Sequence, residues 1–152
     1  MTKFLQSIKE KAEHMNEVKE LQLTDGVTIK YCPRFANTKI ADLVTDLLNL
    51  VKYCEDNLKD KLPELDSQLN TIVNFLTVKH FTELKEEIKD CDYEEQLKLM
   101  YHLCDTYWFS EILLAFEDGE LEKIKNAVEN SIIIFNRLEE LKVGKKTNGK
   151  KK

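Results

Sequence analysis

Leu5, Ile8, Ala12, Met15 and Val18 recur three or four positions apart among Lys and Glu, which predicts an amphipathic first helix. The period then changes. Through Leu21-Gln22-Leu23-Thr24 and Val27-Thr28-Ile29-Lys30-Tyr31, apolar and polar residues alternate on either side of Asp25-Gly26, so the stretch near 21–31 predicts a short β-hairpin. A two-residue turn would set Leu23 opposite Thr28 and send the apolar residues to opposite faces. A three-residue loop with Gly26 in the left-handed region instead sets Leu23 opposite Val27 and Leu21 opposite Ile29, gathering them on one face, and is the preferred reading. Two strands are marginally stable alone, so the hairpin must rest on helices or gain a strand from another chain.

After Pro33, Asn37 or Thr38 is placed to cap a helix whose stripe runs through Ile40, Leu43, Leu47, Val51, Cys54 and Leu58. Leu62-Pro63 marks a corner before a second helix showing Leu65, Leu69, Ile72, Val73 and Leu76, and the two should pack antiparallel. Val78–Leu84 either extends that helix or breaks it near Thr82. Asp92 and Glu95 have capping spacing for a helix with Leu97, Met100, Tyr101 and Cys104 on one face. Tyr107 to Phe116 continues the apolar pattern as far as Asp118-Gly119. A last helix follows, with Leu121, Ile124, Val128, Ile132, Phe135, Leu138 and Leu141, and Gly144 is its cap. The fold expected is mostly α: one compact helical domain, residues 1–144, of five or six helices with a hairpin near its N-terminus, then a flexible lysine-rich tail, 145–152.

Composition fits that reading. The 152 residues are 42% hydrophobic and 34% charged with four Gly and two Pro, enough for one core and poor in breakers of regular structure. The net charge of −5 hides an asymmetry, because six of the 23 basic residues lie in 142–152, a stretch without an acid. Residues 1–141 therefore hold 17 basic against 28 acidic residues, a net of −11. Such a body repels phosphate backbones and argues against specific nucleic-acid or anionic-membrane binding, leaving only the tail to attract anions. No apolar run approaches the length of a membrane span, and the charged opening Met1–Met15 has no signal-peptide core. A cytoplasmic, reducing compartment is expected, with Cys54 and Cys104 acting as small hydrophobes in helical patterns.

Candidate chemistry is sparse. His14, His80 and His102 lie far apart without metal-ligand spacing, and His102 and Cys104, two apart on a helix, point in different directions. Asp92, Glu94, Glu95, Asp105, Glu111, Glu117, Asp118 and Glu120 read as solvated helix faces. The glycines form neither a P-loop nor a dinucleotide fingerprint. No catalytic residue, cofactor or metal site is assigned. Two apolar runs stand out instead. Three consecutive helical residues, Tyr107, Trp108 and Phe109, cannot all face one core, and Ile133 and Ile134 pose the same question, so these five are the candidate protein interface.

The order of a hairpin and paired helices, with Leu23-Thr24-Asp25-Gly26-Val27-Thr28-Ile29-Lys30-Tyr31, Pro33-Arg34-Phe35, Asn37-Thr38-Lys39-Ile40 and Phe75–Thr82, resembles tail assembly chaperones of long-tailed bacteriophages across residues 20–140. The resemblance implies a nonenzymatic factor that binds the tape measure protein and keeps it soluble while tail-tube subunits polymerise around it. It supplies no catalytic residues. The leading expectation is thus a protein-interaction or assembly factor whose partner is a tape measure protein or a second copy of itself. The alternatives are a small enzyme or ligand-binding protein whose site joins distant residues, such as an acid with His80 or His102, and a regulatory or immunity protein binding a protein target.

Overall fold

The computed structural model describes residues 2–61, 67–132 and 136, and within them the hairpin takes the register that a three-residue loop demands. Strands β1 (Lys19–Gln22) and β2 (Thr28–Tyr31) are antiparallel with Leu21 opposite Ile29, and Leu23 N–H donates to Val27 C=O at 2.7 Å. Both Asp25 (φ 73°) and Gly26 (φ 81°) are left-handed, which gives this loop its tightness; Asp tolerates the region better than most residues, and Gly adopts it freely. Leu23 is buried and Leu21 and Ile29 are half-buried on one face.

The remaining chain is helical. Helix α1 (Lys3–Met15) precedes the hairpin, and α2 (Asn37–Asn57), α3 (Leu69–Phe81), the single turn α4 (Leu84–Glu87), α5 (Tyr93–Cys104), α6 (Trp108–Ala115) and α7 (120–132) follow it. The described residues hold seven α-helical segments, the mostly helical domain expected, with the single turn α4 added where the stretch after α3 breaks into short pieces. No helix among them is long and apolar enough to cross a membrane. Pro63, Leu65, Phe135, Leu138, Leu141, Gly144 and the lysine-rich tail lie outside the described residues.

Helix α3 is the centre. Its apolar residues have no strong one-sided period, and nine of its thirteen residues, Ile72 to Phe81 without Asn74, are buried. A helix apolar on most sides is stable only when other elements surround it. Helix α2 packs along it with Ile40, Leu43, Leu47, Leu50 and Cys54 buried. Phe35, just before α2, stacks on Phe81 at the end of α3 with ring centroids 4.0 Å apart, and Phe116 meets Phe35 edge-on at 4.8 Å. That contact joins the start of α2 to the end of α3, as an antiparallel pair requires.

Two details depart from the sequence reading. Neither Asn37 nor Thr38 caps α2: Ala36 occupies that position, and its carbonyl accepts from the N–H groups of Lys39 and Ile40 at 3.0 Å. Tyr101 and Cys104 are exposed, because α5 turns Gln96, Leu97 and Met100 inward and buries only that narrow stripe. The expected cap of α5 is present, with Asp92 Oδ1 accepting from Glu95 N–H at 2.8 Å.

The hairpin rests on its own chain. Helix α3 ends at Thr82, whose extended backbone forms a bridge with Tyr31. Cys32 N–H donates to Phe81 C=O at 2.8 Å and Glu83 N–H to Lys30 C=O at 3.0 Å, so a short extended segment satisfies the outer edge of β2. At the other end, Trp108 Nε1 donates to Thr24 C=O at 2.9 Å, and the Glu111 carboxylate accepts from the Thr24 N–H and hydroxyl.

Candidate functional site

Helix α1 stands apart from the other helices longer than a single turn because none of its thirteen residues is buried. Phe4 is 76% exposed, Ile8 48% and Leu5 44%, and of the stripe read from the sequence only Met15 is half-buried. The N-terminus is capped by Thr2 Oγ1, which accepts from Leu5 N–H at 3.3 Å. The C-terminal end is held by one buried side chain: Arg34 Nε donates to His14 C=O at 3.0 Å, while its two terminal nitrogens pair with Glu17 and Glu117. The helix is thus tethered at one end and, among the described residues, left without cover over Phe4, Leu5 and Ile8.

The candidate interface around α6 is divided. Tyr107 is 81% exposed, whereas Trp108 and Phe109 are half-buried against the core, and the Trp108 N–H is used by the hairpin loop. Ile133 and Ile134 lie outside the described residues.

A second locus joins residues far apart in sequence. Asp46 lies three positions after Leu43 and four before Leu50, so it falls on the buried stripe of α2 and faces the end of α3. Its Oδ2 accepts from Lys79 Nζ and meets His80 Nε2, both at 2.7 Å, and its Oδ1 accepts from the Tyr93 hydroxyl at 2.7 Å. Lys79 Nζ also donates to Gln96 Oε1 at 2.9 Å, and Gln96 Nε2 donates to Cys91 C=O at 3.1 Å. Burial alone raises the Asp46 carboxyl, but the hydrogen bonds from His80, Lys79 and Tyr93 and the charge of Lys79 outweigh it and hold that carboxyl well below the usual carboxylate range. Burial, then the hydrogen bond and charge of Asp46, push the Tyr93 phenol upward.

Of the three histidines, His14 and His102 are exposed and only His80 is drawn into this network. Its Nδ1 is buried with no hydrogen-bond partner among the described residues. The named acids are dispersed: Asp92 caps α5, Glu111 holds the hairpin loop, Glu117 pairs with Arg34 and Glu120 with Lys123. Among the described residues no group of three or more His, Cys, Asp or Glu is placed to hold a metal ion. Cys32 and Cys54 are buried, and Cys104 is exposed rather than packed as a small hydrophobe; burial, then the charge of Asp105, push its thiol upward.

Sequence reasoning missed Asp46, Lys79, Tyr93, Gln96 and Arg34. A signal existed for two of them: Asp46 interrupts a buried stripe, and Lys79-His80 closes an apolar run too continuous to have a solvated side. Arg34 and Gln96 give no local sign, since their burial depends on elements distant in the chain.

The model of the family described as YomO matches residues 5–150. The SPbeta prophage-derived uncharacterized protein YomO of Bacillus subtilis (strain 168) is 27% identical over 129 residues, covering 82% of this chain and 72% of that relative. No solved structure matches the chain. A match over nearly the whole chain, through the hairpin, the buried α2–α3 pair and the helices beyond, means that this chain belongs to the YomO family.

Proposed function

We propose that the chain is a nonenzymatic protein-interaction factor of a phage or prophage, and that α1 is the element it presents to its partner. The observation that carries this reading is a capped, amphipathic helix without a single buried residue. A helix of about a dozen residues is marginal in water by itself, and most helical stability comes from packing an apolar face. Phe4, Leu5 and Ile8 find no such packing within the described fold. A protein surface that covers them would supply the missing stabilisation.

The finer reading is a tail assembly chaperone whose partner is the tape measure protein. It is supported by the resemblance over residues 20–140 and by the prophage origin of the Bacillus subtilis relative. Co-expression of the full chain with the tape measure protein encoded in the same genome tests it. The expected outcome is a soluble complex and a several-fold gain in soluble partner, both lost in a Phe4→Glu, Ile8→Glu variant that remains folded. An insoluble partner would remove the tape-measure reading, and a complex indifferent to these changes would move the recognition surface away from α1. A concentration-dependent dimer abolished by the same changes would make a second copy of the chain the partner.

A further inference from the structure

Where β2, the first turn of α2 and the end of α3 converge, the fold leaves an open cleft of about 410 Å³. Its walls carry Lys30, Lys39, Lys85 and Lys89 against two carboxylates, Glu83 and Glu86. Glu86 pairs with Lys89 at 2.8 Å, while Glu83 Oε1 accepts from the neutral Lys30 N–H at 2.8 Å and keeps its charge, so four lysines against two glutamates leave the wall with a net charge of +2. Lys30, Lys39 and Lys85 have no carboxylate within ion-pair distance among the described residues, and Lys39 Nζ meets only Cys32 Sγ, at 3.4 Å. In a body whose first 141 residues are net −11, a cleft with uncompensated lysines is an exception.

His80 also forms part of the wall. Because Nε2 faces the Asp46 carboxylate, which only accepts, the proton on that nitrogen is fixed and Nδ1 is left either as a bare acceptor or as the second N–H of an imidazolium. Either form costs free energy when buried unpaired. A phosphate monoester or a partly protonated acid offers both an O–H and an O⁻, so it satisfies Nδ1 in either state. Tyr31, Phe81 and Val18 add apolar wall beside the cations, which suits a small organic anion.

We propose that this cleft binds a small oxyanion, a phosphate or carboxylate group held by Lys39 and Lys85, and that binding opens His80 Nδ1, which is closed to solvent in the free fold, to orient it. The site lies apart from the apolar face of α1 and does not depend on the partner proposed for that face. Asp46, Lys79 and Tyr93 act as positioning residues that hold the imidazole.

The test is a titration of the full chain with inorganic phosphate and, separately, with malonate, at constant ionic strength maintained with chloride, read by NMR of the backbone amides and of the imidazole nitrogens. Saturable shifts at residues 30–32, 39 and 80–85 and at the Nδ1 resonance of His80 are expected with at least one anion, and the anion that saturates identifies the class. Lys39→Met should weaken binding at least five-fold, and Lys85→Met should also weaken it, while Lys52→Met, a change on an exposed part of α2, should leave it intact. Linear shifts equal to those of chloride, saturation that spares His80, or equal weakening by Lys52→Met would overturn the assignment.

Discussion

Helices α1 and α3 have the same length, thirteen residues, yet α1 buries none of them and α3 buries nine. Their sequences state the difference in advance. Helix α1 confines its apolar residues to a stripe among Lys and Glu, whereas α3 spreads Ile72, Val73, Phe75, Leu76, Val78 and Phe81 around its axis. The continuous pattern forces a central position, because several elements must close around it. The striped pattern needs only one partner, and it does not specify that the partner belong to the same chain. Helix α3 is therefore the structural centre and α1 the element left for recognition.

The largest effect expected from this contrast is on stability. Phe75→Ala or Phe81→Ala removes a fully buried ring from α3 and should cost about 3–5 kcal/mol in urea unfolding. Phe4→Ala, at a ring 76% exposed, should change the same measurement by less than about 0.5 kcal/mol. Comparable losses at the two positions would mean that α1 is packed in solution and would break the comparison.

Next comes the polar end of α3. Asp46→Ala leaves Lys79 as a buried, uncompensated cation and should cost about 3 kcal/mol, whereas replacing both residues by apolar ones should recover part of the loss. The pH dependence has a definite sign. A carboxyl held below its ordinary value near 3.8 contributes stability that is fully present above that value and is lost as the pH falls through its folded-state value. The stability difference between the native chain and Asp46→Asn should accordingly be flat above about pH 5 and shrink under stronger acid. A constant difference down to pH 2.5 would remove Asp46 from the acid-sensitive set.

Arg34 links the two regions, since it binds the end of α1 and Glu117 beyond α6. Arg34→Leu should cost about 2 kcal/mol through the partners it leaves unpaired. In hydrogen exchange, the amides of Lys3–Met15 should lose protection while those of α3 remain slow relative to global opening. Uniform loss of protection would show that α1 is an integral part of the core.

The elements were legible where one local rule sufficed. Loop length fixed the pairing of Leu21 with Ile29, and Asp92 with Glu95 announced the start of α5. Periodicity could find the stripe of α1 but not whether anything covers it, because that is a property of the other elements. For the same reason the α2 cap was misplaced: Asn37 has the right chemistry, but the tight Phe35-Ala36 packing sets the helix start one residue earlier. The Asp46–His80 pair, separated by 34 positions, arises from how α2 and α3 cross, and no spacing along the chain encodes it.

The smallest stability effect is the most diagnostic, because its sign is opposed to its effect on association. The first turn of α1 holds no acidic residue, and a carboxylate there interacts favourably with the positive end of the helix dipole, by about 0.3–1 kcal/mol. Phe4→Glu supplies that carboxylate. Ile8→Glu exchanges a β-branched residue for a better helix former and places an acid three positions before Lys11, a gain of a few tenths of a kcal/mol that repulsion between the two new glutamates, four positions apart, offsets. If the apolar face is unpartnered in the isolated chain, these charges displace nothing, and the double variant should be as stable as the native chain or up to about 1 kcal/mol more so. The same charges would have to be desolvated against an apolar partner, so partner binding should fall by at least ten-fold. Calorimetric unfolding of the isolated chain and a pull-down of the complex measure the two effects separately. A variant that is destabilised would show that Phe4 and Ile8 already pack against this chain, and one that binds undiminished would move the recognition surface away from α1.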